Sequence, residues 1–203
     1  MNVLTNLPPL TWALVVGAVA LGWALSWLWR WYRARRARKA LVAAITAVAA
    51  DHLVDVLVPD GMGGAFHVDF LLLTSRGVVV IDLRDVSGNI FGGDQMTEWT
   101  VMDGAHRSTF INPQGALYDR VAAVKALAGE TPVEGRVVFT RRARFPKGLP
   151  KWTLMIDSLR SEFPPIEQGL AVGVTARFGE SWQNVRGSVA PNSRAQARPI
   201  AVA

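Results

Sequence analysis

His67-Val-Asp-Phe-Leu-Leu-Leu-Thr-Ser-Arg-Gly-Val-Val-Val-Ile-Asp-Leu-Arg84 reads as two β-strands joined by a tight turn. Apolar β-forming residues lie on both sides of Thr74-Ser-Arg-Gly77, and glycine supplies the positive φ that a hairpin turn often needs. A register that pairs the two ends of this turn places Asp69 directly opposite Asp82. Because side chains alternate along a strand, Asp69, Asp82 and Arg84 then share one face of the sheet.

Two carboxylates in this arrangement have Cβ atoms about 5 Å apart and repel each other. A sheet tolerates such a pair most readily when a cation lies between the carboxylates or when one of them is protonated. The alternative is a half-solvated hairpin on which Asp69 and Asp82 are ordinary surface residues. A loop one residue longer or shorter would instead place the two side chains on opposite faces.

Length and composition limit the class of protein. A chain of 203 residues holds one compact domain and an appendage. The sequence has no cysteine, which excludes disulfides, thiolate chemistry and cysteine-ligated zinc. Half of the residues are hydrophobic, which argues against a disordered protein.

The net charge of +6 is concentrated in one short segment. Six of the 22 Lys and Arg residues lie between positions 30 and 39, and the other 16 balance the 16 Asp and Glu residues. The six are Arg30, Arg33, Arg35, Arg36, Arg38 and Lys39. The positive charge therefore does not predict a basic DNA-binding domain.

This basic cluster follows an uncharged run of 20 residues, Leu10 to Trp29. A helix of that length spans about 30 Å, the thickness of the hydrocarbon core of a bilayer. Aromatic residues, which favour the membrane interface, crowd the end of the run. Since the cationic residues follow the run, we expect a single-pass protein of the plasma (inner) membrane, with its N-terminus outside and its domain in the cytoplasm. A cleaved signal peptide, the alternative, carries its basic residues before the apolar run.

The remaining chain predicts one folded domain between two simpler segments. We expect a transmembrane anchor over 1–32, a basic juxtamembrane helix over 33–50, the domain over 51–186 and a disordered tail over 187–203. Within the domain the pattern predicts strands at 52–59, 98–102 and 135–140, a helix from Pro113, a strand or short helix over 152–163 and a last helix near 181–185. The helix from Pro113 has a buried stripe at Leu117, Val121, Val124 and Leu127.

A second cluster of cations lies after the strand at 135–140 and contains no acidic residue. Its members are Arg136, Arg141, Arg142, Arg144, Lys147 and Lys151. They form either a solvated loop or a rim that contacts phosphate groups.

Several short motifs, in order, resemble the nuclease-related domain (NERD) family, a branch of the PD-(D/E)XK nuclease fold. They are the stretches 67–70 and 75–84, Ser87-Gly-Asn-Ile-Phe-Gly92, Trp99, Asn112-Pro113, the helix end at 124–127, and the stretches 137–140 and 143–148. The resemblance covers about residues 40–165. It implies an α/β fold of the restriction-endonuclease type, with a mixed sheet flanked by helices and here preceded by a transmembrane helix.

The resemblance also implies a metal-dependent site. In this family the first acid of the hairpin and the acid of the E-x-K element bind a divalent metal, and the lysine positions or activates water. Carried over, Asp69 and Asp82 would ligate Mg²⁺ or Mn²⁺, with the carbonyl of Leu83 as a third ligand, and Arg84 would stand at the lysine position. The implied chemistry is phosphodiester hydrolysis of DNA or RNA. His67 is a further candidate near the acids.

The sequence departs from the family pattern at several of these positions. Aspartate replaces the family glutamate at position 82, and Arg84 replaces the lysine. A guanidinium stays protonated, so it can hold a phosphate but cannot act as a base. A helical Glu and a Gln after Asn-Pro are also missing, with Asp51 and Gln114 as the possible substitutes. The second hypothesis is therefore a catalytically degenerate module that binds nucleic acid or a partner protein at the membrane.

Overall fold

The structure is a computed structural model that describes the backbone of residues 9–166 and 168–192, and the side chains of 17–166 and 171–192. The chain divides into two compact units between Ala43 and Ala44. The first unit contains most of helix α1, Pro9–Thr46.

Helix α1 contains both the uncharged run and the basic cluster that follows it. Large apolar side chains between Val19 and Tyr32 are exposed along it. Within the part of the chain that the structure describes, no helix has the length and apolar character needed to cross a membrane. The side chains of 10–16, the first part of the predicted span, lie outside the described residues.

The second unit alternates short strands and helices. In chain order these are β1 (Asp51–Pro59), β2 (Ala65–Thr74), β3 (Gly77–Arg84), β4 (Gly88–Phe91), β5 (Glu98–Asp103), β6 (His106–Ile111), α2 (Pro113–Ala128), β7 (Val133–Phe139), β8 (Ala143–Arg144), β9 (Thr153–Met155), α3 (Leu159–Glu162), α4 (Gln168–Ser188) and β10 (Ala190–Pro191).

These strands form two mixed sheets. The larger sheet has the order β10-β1-β2-β3-β7-β9, and the smaller has the order β6-β5-β4-β8. Neighbours from β10 to β3 are antiparallel, whereas β3, β7 and β9 are parallel. The connection from β3 to the parallel strand β7 contains β4, β5, β6 and α2, whereas β8, the fourth strand of the smaller sheet, follows β7. The expected mixed α/β class with flanking helices is confirmed, with two sheets in place of one.

The register of the central hairpin is the one that the sequence predicts. Thr74 pairs with Gly77 and Phe70 with Ile81, and Gly77 has φ of 120°. The half-solvated hairpin is wrong, because residues on both faces are buried. Leu71, Leu73, Val78 and Val80 belong to the main core cluster, and Phe70, Leu72, Val79 and Ile81 on the opposite face are buried too. Asp69 and Asp82 therefore lie at the end of an apolar sheet.

Helix α2 begins where the Asn-Pro signal places it. The side chain of Asn112 accepts a hydrogen bond from Gln114 N at 2.9 Å, and Pro113 occupies the first turn. Leu117 and Val124 of the predicted stripe are fully buried in the core cluster, which contains residues of β2, β3 and β7. This packing places α2 against the larger sheet.

The predicted elements differ from the structure at several places, and the short strands β4 and β8 are among those not predicted. Strand β6 was not predicted, since His106–Ile111 is almost entirely exposed and lacks an apolar alternation. The last helix, α4, is 21 residues long and extends well beyond 181–185. The predicted tail begins inside α4, and Ala190–Pro191 pairs with β1. Residues 193–203 of that tail lie outside the described residues.

Candidate functional site

The candidate site lies where β2 and β3 separate. Their ladder runs from the turn to the pair Phe70–Ile81, one residue short of Asp69 and Asp82. Beyond that point, Leu83 N donates to Asp69 Oδ2 at 2.8 Å, so a side chain replaces the next rung of backbone hydrogen bonds. The two acids therefore lie on neighbouring strands, as the hairpin register predicts.

Asp82 is the buried member of this pair, with a side chain that is 6% exposed. Its Oδ2 accepts a hydrogen bond from Arg84 Nη2 at 2.8 Å and a longer one from Arg120 Nη1 at 3.4 Å. The reading of this residue as an ordinary surface acid is therefore wrong. Arg84, two residues along the same face of β3, lies beside Asp82 as predicted, and it binds the carboxylate directly.

Asp69 is in a different electrostatic state. Burial raises the pKa of its carboxyl group above the ordinary value, and the negative charge of Asp82 raises it further. The hydrogen bond from the Leu83 N–H and the electrostatic effects of His67 and Arg84 lower the pKa of Asp69 without cancelling these effects. Burial is therefore the main reason why the pKa of Asp69 is raised, and repulsion by the negative charge of Asp82 adds to it.

His67, on β2 two residues before Asp69, is also part of this cluster. Its Nδ1 is 3.9 Å from Asp69 Oδ1, and its Nε2 is 2.7 Å from Asp55 Oδ1. Asp55, on β1, has φ of 58°, which is unusual for a residue other than glycine. A hydrogen bond from Asn192 Nδ2 at 3.1 Å also holds its carboxylate. The imidazole therefore bridges two acids from neighbouring strands.

Sequence reasoning missed Arg120. In addition to Asp82, this side chain contacts the backbone of β2, since its Nε donates to His67 O at 2.6 Å. A helical signal was present, because position 120 is three residues after Leu117 and four before Val124 on the buried stripe of α2. A cation at such a position needs a buried acceptor, and Asp82 supplies one.

The two suggested substitutes for the missing family residues serve other contacts. Asp51 Oδ2 accepts from Trp182 Nε1 at 2.8 Å and from Arg186 Nη2 at 2.6 Å, which connects β1 to α4. Gln114 is buried, and its Nε2 donates to Asp94 Oδ1 at 2.9 Å and to Lys151 O at 2.7 Å. Both residues therefore tie elements of the fold together.

The carboxylates at this site are poorly arranged to bind a divalent metal ion, because hydrogen-bond donors already contact them. Two guanidinium groups already bind Asp82 Oδ2, and Leu83 directs its N–H at Asp69 Oδ2. A Mg²⁺ ion between the two acids would lie close to two fixed positive charges. In the described parts of the chain, no group of three or more His, Cys, Asp or Glu residues could hold a metal ion.

The second basic cluster is divided between paired and exposed cations. Arg136 contacts Glu134 and Glu162, Arg141 contacts Asp157, and Arg142 contacts Asp85. Arg144, Lys147 and Lys151 are exposed. The rim that contacts phosphate groups stays a prediction for this cluster, whose exposed members also include Arg141.

Comparison with known protein families identifies a match. The family model described as nuclease-related domain (NERD) matches residues 36–140, slightly more than half of the chain. The match includes β1 to β7, and therefore Asp69, Asp82, Arg84 and Arg120. No curated protein and no solved structure matches the chain.

Proposed function

The chain belongs to the nuclease-related domain family, and we propose that it is a membrane-anchored member that binds nucleic acid without hydrolysing it. A nuclease-related domain has nucleic acid as its expected ligand. The contacts of Asp82 argue against hydrolysis. That carboxylate, which would have to be a metal ligand in a working site, is already neutralised by Arg84 and Arg120.

The single observation that carries the proposal is the state of Arg84. It stands at the family's lysine position, binds Asp82 and remains permanently protonated, so it cannot accept a proton from water. Its Nε is buried and has no hydrogen-bond partner among the described residues. An unsatisfied buried donor costs about 1–3 kcal/mol. The exposed part of the same guanidinium is available to a phosphate oxygen.

The charge of the site also favours a phosphate over a metal ion. Asp69 and Asp82 carry two negative charges when ionised, and Arg84 and Arg120 carry two positive charges. The Arg84 side chain is 35% exposed, so its guanidinium can contact a ligand while it stays paired. A phosphodiester would therefore meet carboxylates that are already paired with guanidinium donors, whereas two bare carboxylates would repel it.

A second candidate is Mg²⁺-dependent phosphodiester hydrolysis at the same place. The opposed positions of Asp69 and Asp82 on β2 and β3 favour it, as does the family. It requires a metal ion to bind Asp82 beside two guanidinium groups, both of which contact its Oδ2.

One experiment separates the two candidates. The full chain, purified in a mild detergent, is incubated with single- and double-stranded DNA and RNA in Mg²⁺ or Mn²⁺, beside Asp82→Ala and Arg84→Lys, and is titrated with Mn²⁺ in a calorimeter. We expect neither cleavage nor Mn²⁺ binding by the natural sequence. Cleavage that disappears in Asp82→Ala would establish the hydrolase instead. Cleavage by Arg84→Lys alone would identify the site as a decayed catalyst.

Nucleic-acid binding is tested by fluorescence anisotropy of labelled oligonucleotides over a range of salt concentrations. We expect binding that weakens with salt, because phosphate contacts release counterions. Arg84→Met should weaken it, whereas Arg107→Met, at an exposed position on β6, should not. Equal affinity of both variants would exclude Arg84 as the phosphate contact.

The membrane part of the proposal is supported by the sequence and by the exposed side chains of α1. Trp23, Trp27 and Trp29 are each at least 60% exposed and precede the basic cluster, as expected where an apolar segment reaches a lipid interface. The proposed topology is single-pass, with the domain in the cytoplasm. The chain should resist alkaline extraction from membranes, and a reporter fused after Ala203 should be active only in the cytoplasm. An exported reporter would reverse the orientation.

A further inference from the structure

Two loops of the domain meet beside the start of α2 and form one surface. These loops are residues 92–97, between β4 and β5, and residues 145–152, before β9. Asp94 Oδ1 accepts from Lys151 N at 2.8 Å and from Gln114 Nε2 at 2.9 Å. Gln114 Nε2 also donates to Lys151 O at 2.7 Å. The buried amide of Gln114 therefore fixes the two loops to each other, and we call them the paired loops.

The backbone of the second loop holds Trp152 in an unusual conformation. Trp152 has φ of 56°, the left-handed region that non-glycine residues rarely adopt. Its carbonyl accepts a hydrogen bond from Val137 N at 2.8 Å, which anchors it to the larger sheet. A strained residue persists where the surrounding structure fixes it, and such residues cluster at functional sites.

The paired loops expose three large apolar side chains. Trp152 is 51% exposed, and Met96 and Leu149 are each 45% exposed. None of the three is needed to fill the main core. Two of them come from one loop and the third from the other, so the bonds through Gln114 bring them onto one part of the domain.

Cations accompany these apolar side chains in the sequence. Lys147 and Lys151 are exposed on the second loop, which has no acidic residue, and Arg144, at the end of β8 just before the loop, is exposed too. Asp94, the one acid of the first loop, has its pKa lowered by the hydrogen bonds from Gln114 and from the backbone of Lys151. Asp94 keeps its negative charge, but Lys147 and Lys151 on the second loop and Arg144 just before it outnumber that acid, so the surface has a net positive charge and suits an anionic partner.

We propose that the paired loops dock on an anionic membrane surface. Tryptophan favours the headgroup region, leucine and methionine enter the acyl boundary, and lysine and arginine bind lipid phosphates. Single-stranded nucleic acid is the other anionic partner of this kind, but it uses aromatic stacking, to which Leu149 and Met96 contribute little. The proposal is independent of the Asp69–Asp82 site, and it adds a second membrane contact to the proposed anchor.

The absence of cysteine allows a direct test with the full chain. A single cysteine in Leu149→Cys is labelled with an environment-sensitive fluorophore, and Gln183→Cys, exposed on α4, serves as the control position. Each protein is reconstituted in phosphatidylcholine vesicles and in vesicles of phosphatidylcholine with phosphatidylglycerol. We expect a blue shift and quenching by spin-labelled lipid at position 149, only with phosphatidylglycerol, and no change at position 183.

Charge variants, made in the Leu149→Cys protein, measure the electrostatic contribution to docking. Each cation near an anionic membrane contributes a factor of about five, so Lys147→Gln with Lys151→Gln should lower the ratio of docked to undocked protein about 30-fold. Arg107→Gln with Lys125→Gln removes two charges elsewhere and should leave the ratio unchanged. Asparagine adopts the left-handed backbone conformation more readily than most residues, so Trp152→Asn should reduce docking without unfolding the loop.

Three results would overturn the proposal. One is a label at position 149 that stays in water on both kinds of vesicle. Another is equal insertion into neutral and anionic vesicles. The third is a label that responds to a single-stranded oligonucleotide and not to lipid, which would identify the surface as a nucleic-acid contact.

Discussion

Replacing Asp82 by alanine distinguishes a salt-bridged site from a bare pair of metal ligands. In a bare pair, the ionised acids repel each other, and removing one of them stabilises the protein. In this structure, Asp82 instead neutralises Arg84 and Arg120. Its removal leaves two cations without their acceptor, so we expect Asp82→Ala to destabilise the domain.

The magnitude follows from the burial of the partners. Breaking a buried ion pair typically costs about 3–5 kcal/mol. The Arg84 side chain is 35% exposed and can regain water, and the contact with Arg120 is long at 3.4 Å, so the loss should be at the low end, about 3 kcal/mol. Relief of the repulsion with Asp69 returns at most about 1 kcal/mol. The net effect should be a loss of about 2 kcal/mol.

The assay is urea unfolding of the full chain in mild detergent, followed by near-ultraviolet circular dichroism. A double-mutant cycle with Arg120→Met isolates the pair, because Asp82→Ala should cost less when Arg120 is already absent. We expect a coupling of about 1–2 kcal/mol. The cycle also separates this contact from the bond of Arg120 to His67 O, which only the Arg120 variant loses.

An increase in stability for Asp82→Ala would refute this reasoning. It would mean that repulsion between Asp69 and Asp82 exceeds the attraction of the guanidinium groups, as expected of a site made for a metal ion. A coupling near zero would show that Arg120 does not interact with Asp82 in solution.

Two further predictions concern the fold. Burial raises the pKa of Asp51, but hydrogen bonds from Trp182 and the backbone and the charge of Arg186 outweigh it, so that the pKa falls below 3.8. Its contribution to stability is therefore present above that pH and lost as the pH falls through the folded-state pKa, and the urea midpoints of the natural protein and Asp51→Asn should converge in acid. Gly135→Ala places a Cβ 2.6 Å from Val121 Cγ2 and should lower the free energy of unfolding by about 1–3 kcal/mol. In the matched control, Gly115→Ala, the new Cβ meets nothing within 4 Å and should stabilise α2 by about 0.5–1 kcal/mol. Thermal unfolding measures both changes.

Local patterns in the sequence determined the parts of the fold that depend on neighbouring residues. The turn before Gly77 fixes the hairpin register, since each rung follows from the one before it, and that register places Asp69 and Asp82 side by side. The Asn112-Pro113 pair fixes the start of α2 because capping uses residues within one turn. The motifs in their order were enough to indicate the family.

Contacts between distant residues could not be obtained in this way. The segments that form β6 and β10 lack an alternation of apolar and polar residues, so only the tertiary structure reveals these strands and the pairing of β10 with β1. The buried stripe of α2 places position 120 near the inward face, but it does not say which strand that face meets.

Contacts between distant residues also decide which groups face the acids of the candidate site. The two acids are 13 residues apart and belong to one hairpin, so alternation and register alone bring them together. Arg120 reaches Asp82 from a position 38 residues away, and it does so because α2 packs its apolar stripe against the larger sheet. The sequence by itself thus determined which residues form the acid pair, whereas only helix packing decided that a guanidinium, and not a vacant space for a cation, faces it.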